Sequence, residues 1–366
     1  MDKKKVLIDL YSLKDDGANG FSQIAINYGR IFSELQNSGK EEFDFEFILP
    51  QCAKKTDKFH YDGVKCYYEH RKMAWLWKIF RWLVPHPDVW HSVNQLCRQY
   101  PDSAKTKLIF TIHDYNFLFE DAPEDAERRR QLMQSRIDRA EVVTFISKFA
   151  EKTAREHTNL EGKKTYVIYN GVEDLTDKQQ EKPTFVREGK EFFFAIGTIC
   201  KKKNFEVLLD VMKRFPDKML YLCGNTNYDY AQRMLQRIKD EKIENVVMPG
   251  VICDAERVWL YANCKAYLFP SIGEGFGLPA IEAMQFGKPV FASAYQSLPE
   301  IVEGYGYIWH DLKAEAMAKV ISDNIDSYYA DRDRIRRVKE YASSFSYDKH
   351  IEAYLRIYKE LLSNKH

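Results

Sequence analysis

Two glutamates, Glu274 and Glu282, lie at the two ends of a short apolar stretch that is marked by glycines. The stretch belongs to SIGEGFGLPAIEAMQFGKP, residues 271–289, and also carries a Leu-Pro pair. Gly275 and Gly277 have no side chain, so the backbone there can turn tightly and approach a ligand closely. The pattern indicates a site that is lined by backbone and flanked by carboxylates.

A helix is predicted to begin inside this stretch. Pro279 suits the first turn of a helix, which places the helix start near Leu278. The amides of Phe276, Gly277 and Leu278 would then lie at the positive end of the helix dipole, where a phosphate group binds readily. A simpler interpretation stays open from the residues alone: Glu282 would only complement the helix dipole, and the first glutamate would be solvated.

Basic side chains and a histidine occur in two other segments of interest. GTICKKKN, residues 197–204, contains Lys202 and Lys203, and such a run is typical of a solvated basic turn unless it faces an anion. His113 ends the run KLIFTIHD beside Asp114. A histidine at a strand end can be catalytic, but it is more often structural.

The elements that would position these residues alternate along the chain. The strand-like runs of the first half are KVLIDLY, FDFEFILP, VKCYYEH, VWHSV, KLIFTIHD, VVTFIS and TYVIYN. Those of the second half are FFFAIGT, MLYLCG, VVMPG, AYLFPS, PVFAS and GYIW. Helical patterns intervene, among them residues 24–35, 206–215, 230–241 and 314–325. This alternation predicts two parallel sheets covered by helices on both faces.

The glycines and polar residues of interest follow directly after the predicted strands. Ligands of doubly wound sheets bind outside the carboxyl ends of the strands, so this agreement in position favours a binding role. A polar segment without an apolar period, residues 173–190, is predicted to connect two domains. Two such domains would enclose a cleft, which is a preferred location for a ligand.

Composition and charge narrow the classes of function. The chain has 366 residues, which favours two domains, and its formal net charge of +1 provides no basic field for nucleic acid. Its seven cysteines lack C-x-x-C spacing, which is typical of reduced thiols in a cytosol. The opening MDKKKVLIDLYS predicts a first strand rather than a signal peptide, and no run approaches the ~18 apolar residues of a membrane span.

Several segments resemble glycosyltransferase family 4, a large group of retaining enzymes with the GT-B fold. PSIGEGFGLPAIEAMQFGKPVFAS is similar to the donor-site signature of that family. GTICKKKN resembles its Gly-Thr-Leu-x-Pro-Arg-Lys-Asn stretch, TIHDYNFL its Thr-x-His-Asp segment and VIYNGVE its Tyr-Asn-Gly-Val segment. LPEIV and the terminal FSYDKHIEAYLRIYKELL match its usual tail. The resemblance covers nearly the whole chain and is strongest over residues 165–303.

The resemblance implies a role for each part of the segment with the two glutamates. Glu282 is expected to hold the ribose hydroxyls of a nucleotide sugar, and Glu274 is expected to contact hydroxyls of the transferred sugar. The residues between them are expected to bind the donor and to meet its diphosphate through backbone amides; they are Gly275, Phe276, Gly277 and Leu278.

Other residues receive roles from the same resemblance. Lys203 matches the lysine that neutralises the departing diphosphate, and Lys202 stands where the family often has arginine, so the charge is kept but the planar fork is lost. His113 is expected to lie against the donor sugar. Gly20, which lies with Gly17 in the loop DDGANGF, is expected to approach the diphosphate.

The resemblance extends to three further residues. Gly250 and Val251 are expected near the nucleobase. His91, in VWHSVNQL, is expected to be structural or to lie on the acceptor side. The glycines of DDGANGF do not have the G-x-G-x-x-G spacing of a dinucleotide fold, which counts against an NAD enzyme.

The fold implied by the resemblance is GT-B, an α/β architecture of two Rossmann-like, doubly wound domains that face a cleft. The expected bounds are 1–178 for an acceptor-binding domain and 179–346 for a nucleotide-sugar-binding domain. Residues 347–366 are expected to form a helix that crosses back to the first domain.

The activity implied is transfer of a hexosyl unit from a UDP- or GDP-sugar to a hydroxyl of a saccharide acceptor. The acceptor is expected to be lipid-linked and the setting to be bacterial surface-polysaccharide synthesis, in the cytoplasm or peripherally on the inner face of the cell membrane. No Asp-x-Asp pair follows a predicted strand, and DRD at 331–333 lies in a charged helical run. We therefore expect no cofactor and no metal, whose place Lys202, Lys203 and the helix terminus would take.

One segment owes little to the resemblance. RKMAWLWKIFRWLVP, Arg71–Pro85, interleaves tryptophans with basic residues. On a helix, Trp75, Ile79 and Trp82 would share one side, which suits a membrane interface with anionic lipid. The same pattern suits an aromatic helix packed on the sheet of the first domain.

Three alternatives to transfer remain open. A sugar phosphorylase of the same fold would use inorganic phosphate, and a sugar-nucleotide epimerase would convert the donor without an acceptor. A nucleotide-sugar binding module would bind the donor without turnover, although the histidine, lysine and glutamate set argues against it.

Overall fold

The computed structural model describes residues 3–13, 20–55, 59–69, 79–80, 84–101 and 103–363. These residues form two compact α/β units, called here unit 1 and unit 2. Unit 1 contains the chain up to Asn170 and again from His350, and unit 2 runs from Gly171 to Lys349. The predicted class, an α/β chain with two Rossmann-like parts, is confirmed.

Unit 1 is built on a seven-stranded sheet with the strand order β3-β2-β1-β4-β5-β6-β7. Its strands are β1 Lys4–Asp9, β2 Phe43–Pro50, β3 Lys65–Glu69, β4 Val89–Ser92, β5 Lys107–Ile112, β6 Val142–Phe145 and β7 Lys164–Val167. Neighbouring strands pair in parallel throughout these ranges. Every residue of β4 and β6 is buried, because a parallel sheet is covered on both faces.

The connections of unit 1 contain α1 Gly20–Ser38, α2 Phe117–Glu120, α3 Pro123–Arg139 and α4 Lys148–His157. α4 begins at a sequence-encoded cap: the Ser147 hydroxyl accepts a hydrogen bond from the amide of Ala150. Aromatic and aliphatic side chains from β5, β6, α3 and α4 form a buried core on the sheet.

Unit 2 is built on a six-stranded parallel sheet with the strand order β10-β9-β8-β11-β12-β13. Its strands are β8 Phe192–Ile196, β9 Met219–Cys223, β10 Val246–Gly250, β11 Ala266–Phe269, β12 Val290–Ser293 and β13 Tyr307–Trp309. Its helices are α5 Val207–Met212, α6 Asp229–Asp240, α7 Asp254–Asn263, α8 Leu278–Gln285, α9 Leu298–Val302, α10 Ala314–Ala330 and α11 Arg332–Ser343. β8 pairs with β11, so the loops that follow these two strands leave the sheet side by side.

The last helix, α12 Tyr347–Ser363, begins in unit 2 and belongs to unit 1 from His350 onward. Buried hydrogen bonds hold it there: Tyr358 Oη lies 2.7 Å from His91 Nδ1, and Tyr28 Oη lies 2.7 Å from His350 Nε2. His350 Nδ1 lies 2.6 Å from the carbonyl oxygen of Tyr169. Since a carbonyl only accepts, His350 carries its proton on Nδ1 and accepts from Tyr28 at Nε2.

The polar segment 173–190 lies within unit 2. Backbone and side-chain bonds hold it there, because the Leu175 amide donates to Gln285 Oε1 over 3.1 Å and the Glu181 amide donates to the Ala255 carbonyl over 3.1 Å. The chain passes between the units at Asn170, before this segment, and again at Lys349. The chain therefore enters unit 2 before the polar segment and before the boundary expected at residue 178. A polar segment indicates exposure to solvent, which does not require that it connect two domains.

The segment 71–85, for which a membrane contact is predicted, lies mostly outside the described residues. Of it, only Ile79, whose side chain is exposed, and three further residues fall inside. Within the part of the chain that the structure describes, no helix is both long and apolar enough to cross a membrane.

Candidate functional site

Two loops of unit 2 that carry the basic run and the first glutamate pack directly on each other. The amide of Ile272 donates to the carbonyl of Lys202 over 2.8 Å, and the Ser271 hydroxyl donates to the same oxygen over 3.1 Å. The side-chain amide of Asn204 reaches the carbonyl of Pro270 at 3.3 Å. The sheet order thus brings residues 197–204 and 270–277 together at the carboxyl ends of β8 and β11, where ligands of such sheets bind.

The three lysines of a short 3-10 turn, Lys201–Lys203, point in different directions. Asn204 ends the turn in the left-handed region, with φ 52° and ψ 30°, which asparagine tolerates better than most residues. Lys201 is exposed, whereas the aliphatic stem of Lys202 lies against the backbone of Gly273. Lys203 points inward.

Lys203 and Glu274 form a direct ion pair. The distance from Lys203 Nζ to Glu274 Oε1 is 2.5 Å, and the side chains are only 14 % and 12 % exposed. The ammonium group also lies 5.5 Å from the centre of the Phe269 ring. The cation expected at a diphosphate and the carboxylate expected at a sugar are therefore in contact.

Side chains from elsewhere in unit 2 hold the glycine-containing turn between the glutamates in place. The hydroxyl of Ser297, which is fully buried, lies 2.8 Å from the carbonyl oxygen of Glu274 and 2.9 Å from that of Phe276. The ring of Phe276 is buried and packs edge-on against Phe345, with 5.8 Å between ring centres. The turn is thus held by its carbonyls and by one aromatic anchor, so its amides have a defined position.

The helix predicted from the Leu-Pro pair is present. α8 begins at Leu278, Gly277 is its N-terminal flanking residue with φ 116° and ψ 43°, and Pro279 lies in its first turn. A Cβ atom on Gly277 would come 2.9 Å from Leu298 Cδ2. Glycine is required here by both the backbone angle and the space. The first amides of a helix have no acceptor inside the helix, so they can bind an anion.

Glu282, one turn further along α8, is bound by an arginine that the sequence did not single out. Arg257 Nη1 lies 2.7 Å from Glu282 Oε1, and the side chains are 19 % and 16 % exposed. Arg257 comes from α7, where Leu260 and Tyr261, three and four positions on, are fully buried. Residues three and four positions apart share one face of a helix, so the apolar Leu260 and Tyr261 place Arg257 on the buried face. This spacing is the sequence signal that predicts a covered arginine.

Gly250 and Val251 also lie at the carboxyl end of the sheet of unit 2. Gly250 ends β10 with φ 91° and its carbonyl accepts from the amide of Gly224 over 2.8 Å. The side chain of Val251 is 75 % exposed. Large apolar side chains that are exposed in unit 2 share this location, in the loops after β9, β10, β11 and β12: Tyr228, Val251, Ile272 and Tyr295.

His113 belongs to unit 1, directly after β5. Its Nε2 lies 2.8 Å from the carbonyl oxygen of Val93, so this nitrogen carries the proton. Its amide donates to Gln95 Oε1 over 2.9 Å. Burial lowers the pKa of the ring to about 4, so the imidazole is neutral near pH 7.

Two other residues with predicted roles, His91 and Gly20, also belong to unit 1. His91 is buried between Tyr358 and the Thr111 hydroxyl, at 2.7 and 3.0 Å, and burial lowers its pKa to about 3. These contacts fit the structural alternative for His91. Gly20 is the first residue of α1, whereas Gly17 lies outside the described residues.

The acidic residues of DRD have structural contacts. Asp331 accepts from the amide of Arg334 over 2.8 Å and thereby caps α11. Asp333 pairs with Arg336 at 3.4 Å. Both carboxylates are exposed.

Comparison with known proteins identifies relatives over most of the chain. The family model described as "Glycosyl transferases group 1" matches residues 176–345, and that of "Glycosyltransferase Family 4" matches residues 38–174. The O-antigen chain mannosyltransferase RfbU of Salmonella typhimurium is 27% identical over 242 residues, which is 65% of each chain. The serotype-specific mannosyltransferase WbdA of Escherichia coli is 26% identical over 204 residues, which is 51% of this chain and 25% of that protein. The chain thus spans slightly less than two thirds of the first relative and a quarter of the second.

Solved structures share the fold over the whole chain. Sucrose-phosphate synthase from Thermosynechococcus elongatus superposes with a TM-score of 0.76 and 18% identity, covering 99% of this chain and 100% of that one. HepE from Anabaena, in complex with UDP and glucose, superposes with a TM-score of 0.73 and 19% identity, covering 98% and 100%. These similarities establish the GT-B fold predicted from the sequence.

Proposed function

We propose that this chain, which belongs to the family-4 glycosyltransferases, transfers a hexosyl unit from a nucleotide-diphosphate sugar to a hydroxyl of a saccharide acceptor. One observation carries the proposal: Lys203 and Glu274 meet beside the N-terminus of α8. A cation, a carboxylate and helix amides in one place match the diphosphate and hydroxyls of such a donor.

The donor would extend from Glu274 to Glu282. The transferred sugar would lie at Glu274, the diphosphate at the amides of residues 276–278, and the ribose at Glu282, with the base towards Gly250 and Val251. The complex of HepE with UDP and glucose supports a UDP-sugar, and the mannosyltransferases RfbU and WbdA support mannose as the hexose. A UDP- or GDP-hexose is therefore the proposed donor.

The leaving diphosphate would be stabilised by fixed positive groups. As the bond between the anomeric carbon and the phosphate oxygen breaks, negative charge grows on the diphosphate. Lys203, Lys202 and the helix amides would neutralise this charge without a metal ion. Lys203 would contact the diphosphate, and the adjacent Glu274 carboxylate would accept hydrogen bonds from the sugar hydroxyls.

The new glycosidic bond would form with retention of configuration. The acceptor oxygen would attack the anomeric carbon on the face from which the diphosphate departs, and its proton would pass to an oxygen of that diphosphate. Glu274 would orient the sugar and would form no covalent bond. His113 would contact the sugar as a neutral imidazole, as expected from its buried environment.

The acceptor is proposed to be a lipid-linked saccharide of a bacterial surface polysaccharide, handled at the cytoplasmic face of the membrane. The named activity of RfbU, O-antigen chain mannosyltransferase, supports this setting. The membrane contact of residues 71–85 stays a prediction.

A thermal-shift panel with UDP, GDP, ADP and their hexose conjugates tests the donor class. A ligand that binds only the folded protein at 100 times its Kd stabilises it by about 2.7 kcal/mol. We expect one nucleoside diphosphate and its sugar to raise Tm clearly, and the other bases to raise it less. A Tm that none of these compounds changes would refute a nucleotide-sugar site.

The selected donor then separates transfer from the alternatives. Transfer releases nucleoside diphosphate in a manner that depends on a saccharide acceptor. A phosphorylase would instead need inorganic phosphate, an epimerase would convert the donor sugar with no acceptor present, and a binding module would release nothing.

A further inference from the structure

Arg257 and Glu282 form an ion pair that the stability of the fold does not require. Arg257 Nη1 binds Glu282 Oε1 at 2.7 Å, and its Nη2 lies 3.2 Å from Asp254 Oδ1 in the first turn of the same helix. Asp254 is 83 % exposed, whereas Arg257 and Glu282 are largely covered. The guanidinium group is thus anchored to its own helix and presents one nitrogen to the carboxylate of the next.

Such a covered pair is costly for stability. The desolvation of two charges commonly offsets their attraction, so a well-packed apolar pair would serve the fold as well or better. The side chain of Tyr261, on the same helix as Arg257, is fully buried, and its hydroxyl interacts with the Glu282 carboxylate. Burial and the nearby Glu282 carboxylate raise the pKa of this hydroxyl. A covered ion pair beside a buried hydroxyl is more polar than packing requires, and such groupings are typical of binding sites.

The Glu282 carboxylate can accept more hydrogen bonds than Arg257 donates to it. An ionised carboxylate can accept about four hydrogen bonds through its two oxygens. Oε1 accepts from Arg257 over 2.7 Å, and the Tyr261 hydroxyl interacts with the same carboxylate. Two neighbouring hydroxyls could therefore bind Glu282 while Arg257 keeps its contact.

We propose that Arg257 is a positioning residue that holds the Glu282 carboxylate for the vicinal 2′- and 3′-hydroxyls of the donor ribose, a role that depends on the donor site proposed above. The planar guanidinium fixes the carboxylate more tightly than an ammonium group can. Its positive charge also lies directly against the carboxylate, and hydrogen bonds that involve a charged group are stronger than those between neutral groups.

The test is the affinity of the protein for ribonucleoside diphosphates relative to their 2′,3′-dideoxy counterparts. Binding of GDP, UDP and the two dideoxy compounds is measured by calorimetry for the wild type and for Arg257→Leu and Arg257→Lys. The wild type is expected to prefer the ribonucleotide that it binds by about tenfold or more. Arg257→Leu is expected to lose most of this preference, and Arg257→Lys to keep an intermediate one.

Two further variants separate positioning from general stability. Arg237→Leu is a matched control, because Arg237 is 25 % exposed, lies on a helix of the same unit and is paired with Asp210 and Glu241. It is expected to lower Tm without changing the ribose preference. Adding Arg257→Leu to Glu282→Gln is expected to cause no further loss of preference, since Arg257 acts through Glu282. The double variant also removes the charges of both partners, so it avoids an unpaired covered charge.

The outcomes are distinct. A wild-type preference retained in Arg257→Leu, or additive losses in the double variant, would overturn the positioning role while leaving the donor site intact. A wild type that binds ribonucleotides and dideoxynucleotides equally would also overturn it. Absence of any nucleoside diphosphate binding by the wild type would overturn the proposed donor site, and with it the role of Arg257.

Discussion

Replacing Lys203 with alanine is expected to lower the turnover number of sugar transfer by about 10²–10³-fold, the usual effect of losing one group that stabilises developing charge. Lys203 is paired with the Glu274 carboxylate, with which a donor phosphate would have to compete. Part of its attraction to a bound donor is therefore offset by the loss of that pair. Lys203→Ala should therefore lower the turnover number by a larger factor than it raises the Kd of the donor.

Lys201→Ala is the matched control for this prediction. Lys201 lies in the same turn but is exposed, so its removal should leave turnover within about twofold, as for an exposed charge. Thermal unfolding of both variants checks the fold, because Lys203→Ala leaves the covered Glu274 carboxylate without its partner. Turnover near that of the wild type in a folded Lys203→Ala protein would remove the lysine from the mechanism.

Replacing Gly277 with alanine is expected to weaken nucleoside diphosphate binding by about tenfold or more, since strain of ~1–3 kcal/mol must be relieved in the turn whose amides are proposed to bind the diphosphate. The backbone has φ 116°, which residues with a Cβ rarely adopt, and the added atom would lie 2.9 Å from Leu298. Leu298 is fully buried and cannot move aside easily. The turn of residues 274–277 should shift instead.

Gly304→Ala is the control for backbone strain alone, because Gly304 lies outside the turn between the glutamates. Gly304 has φ 77°, and a Cβ there would meet nothing within 4 Å. Both substitutions should lower Tm, but calorimetry should find weaker nucleoside diphosphate binding only in Gly277→Ala. Equal affinities in the two variants would mean that the turn between the glutamates does not contact the donor.

The strands of this fold could be predicted because parallel strands are buried on both faces. Each strand-like run identified in the sequence corresponds to one of the strands β1 to β13. AYLFPS, for example, contains β11, in which every residue is buried, so it forms a continuous apolar run rather than an alternating one. The start of α8 was predictable for a local reason too, since Pro279 and Gly277 fix the backbone within a few residues.

The pairings within the site could not be predicted, because they depend on tertiary neighbours. Lys203 and Glu274 are 71 residues apart, and only the pairing of β8 with β11 makes their loops adjacent. The sequence does not predict a role for Arg257, because an arginine on a helix is usually solvated. Its contact with Glu282 arises from the packing of α7 against α8.

Calorimetric titration of Glu274→Gln and Glu282→Gln with the bare nucleoside diphosphate tests the central claim, that ribose lies at Glu282 and sugar at Glu274. Glu282→Gln should lower the affinity about tenfold or more, because it weakens the hydrogen bonds to the ribose. Glu274→Gln should leave the affinity unchanged or raise it, since it removes negative charge beside the proposed phosphate site and weakens the hold on Lys203. Equal losses of affinity in the two variants would contradict the account.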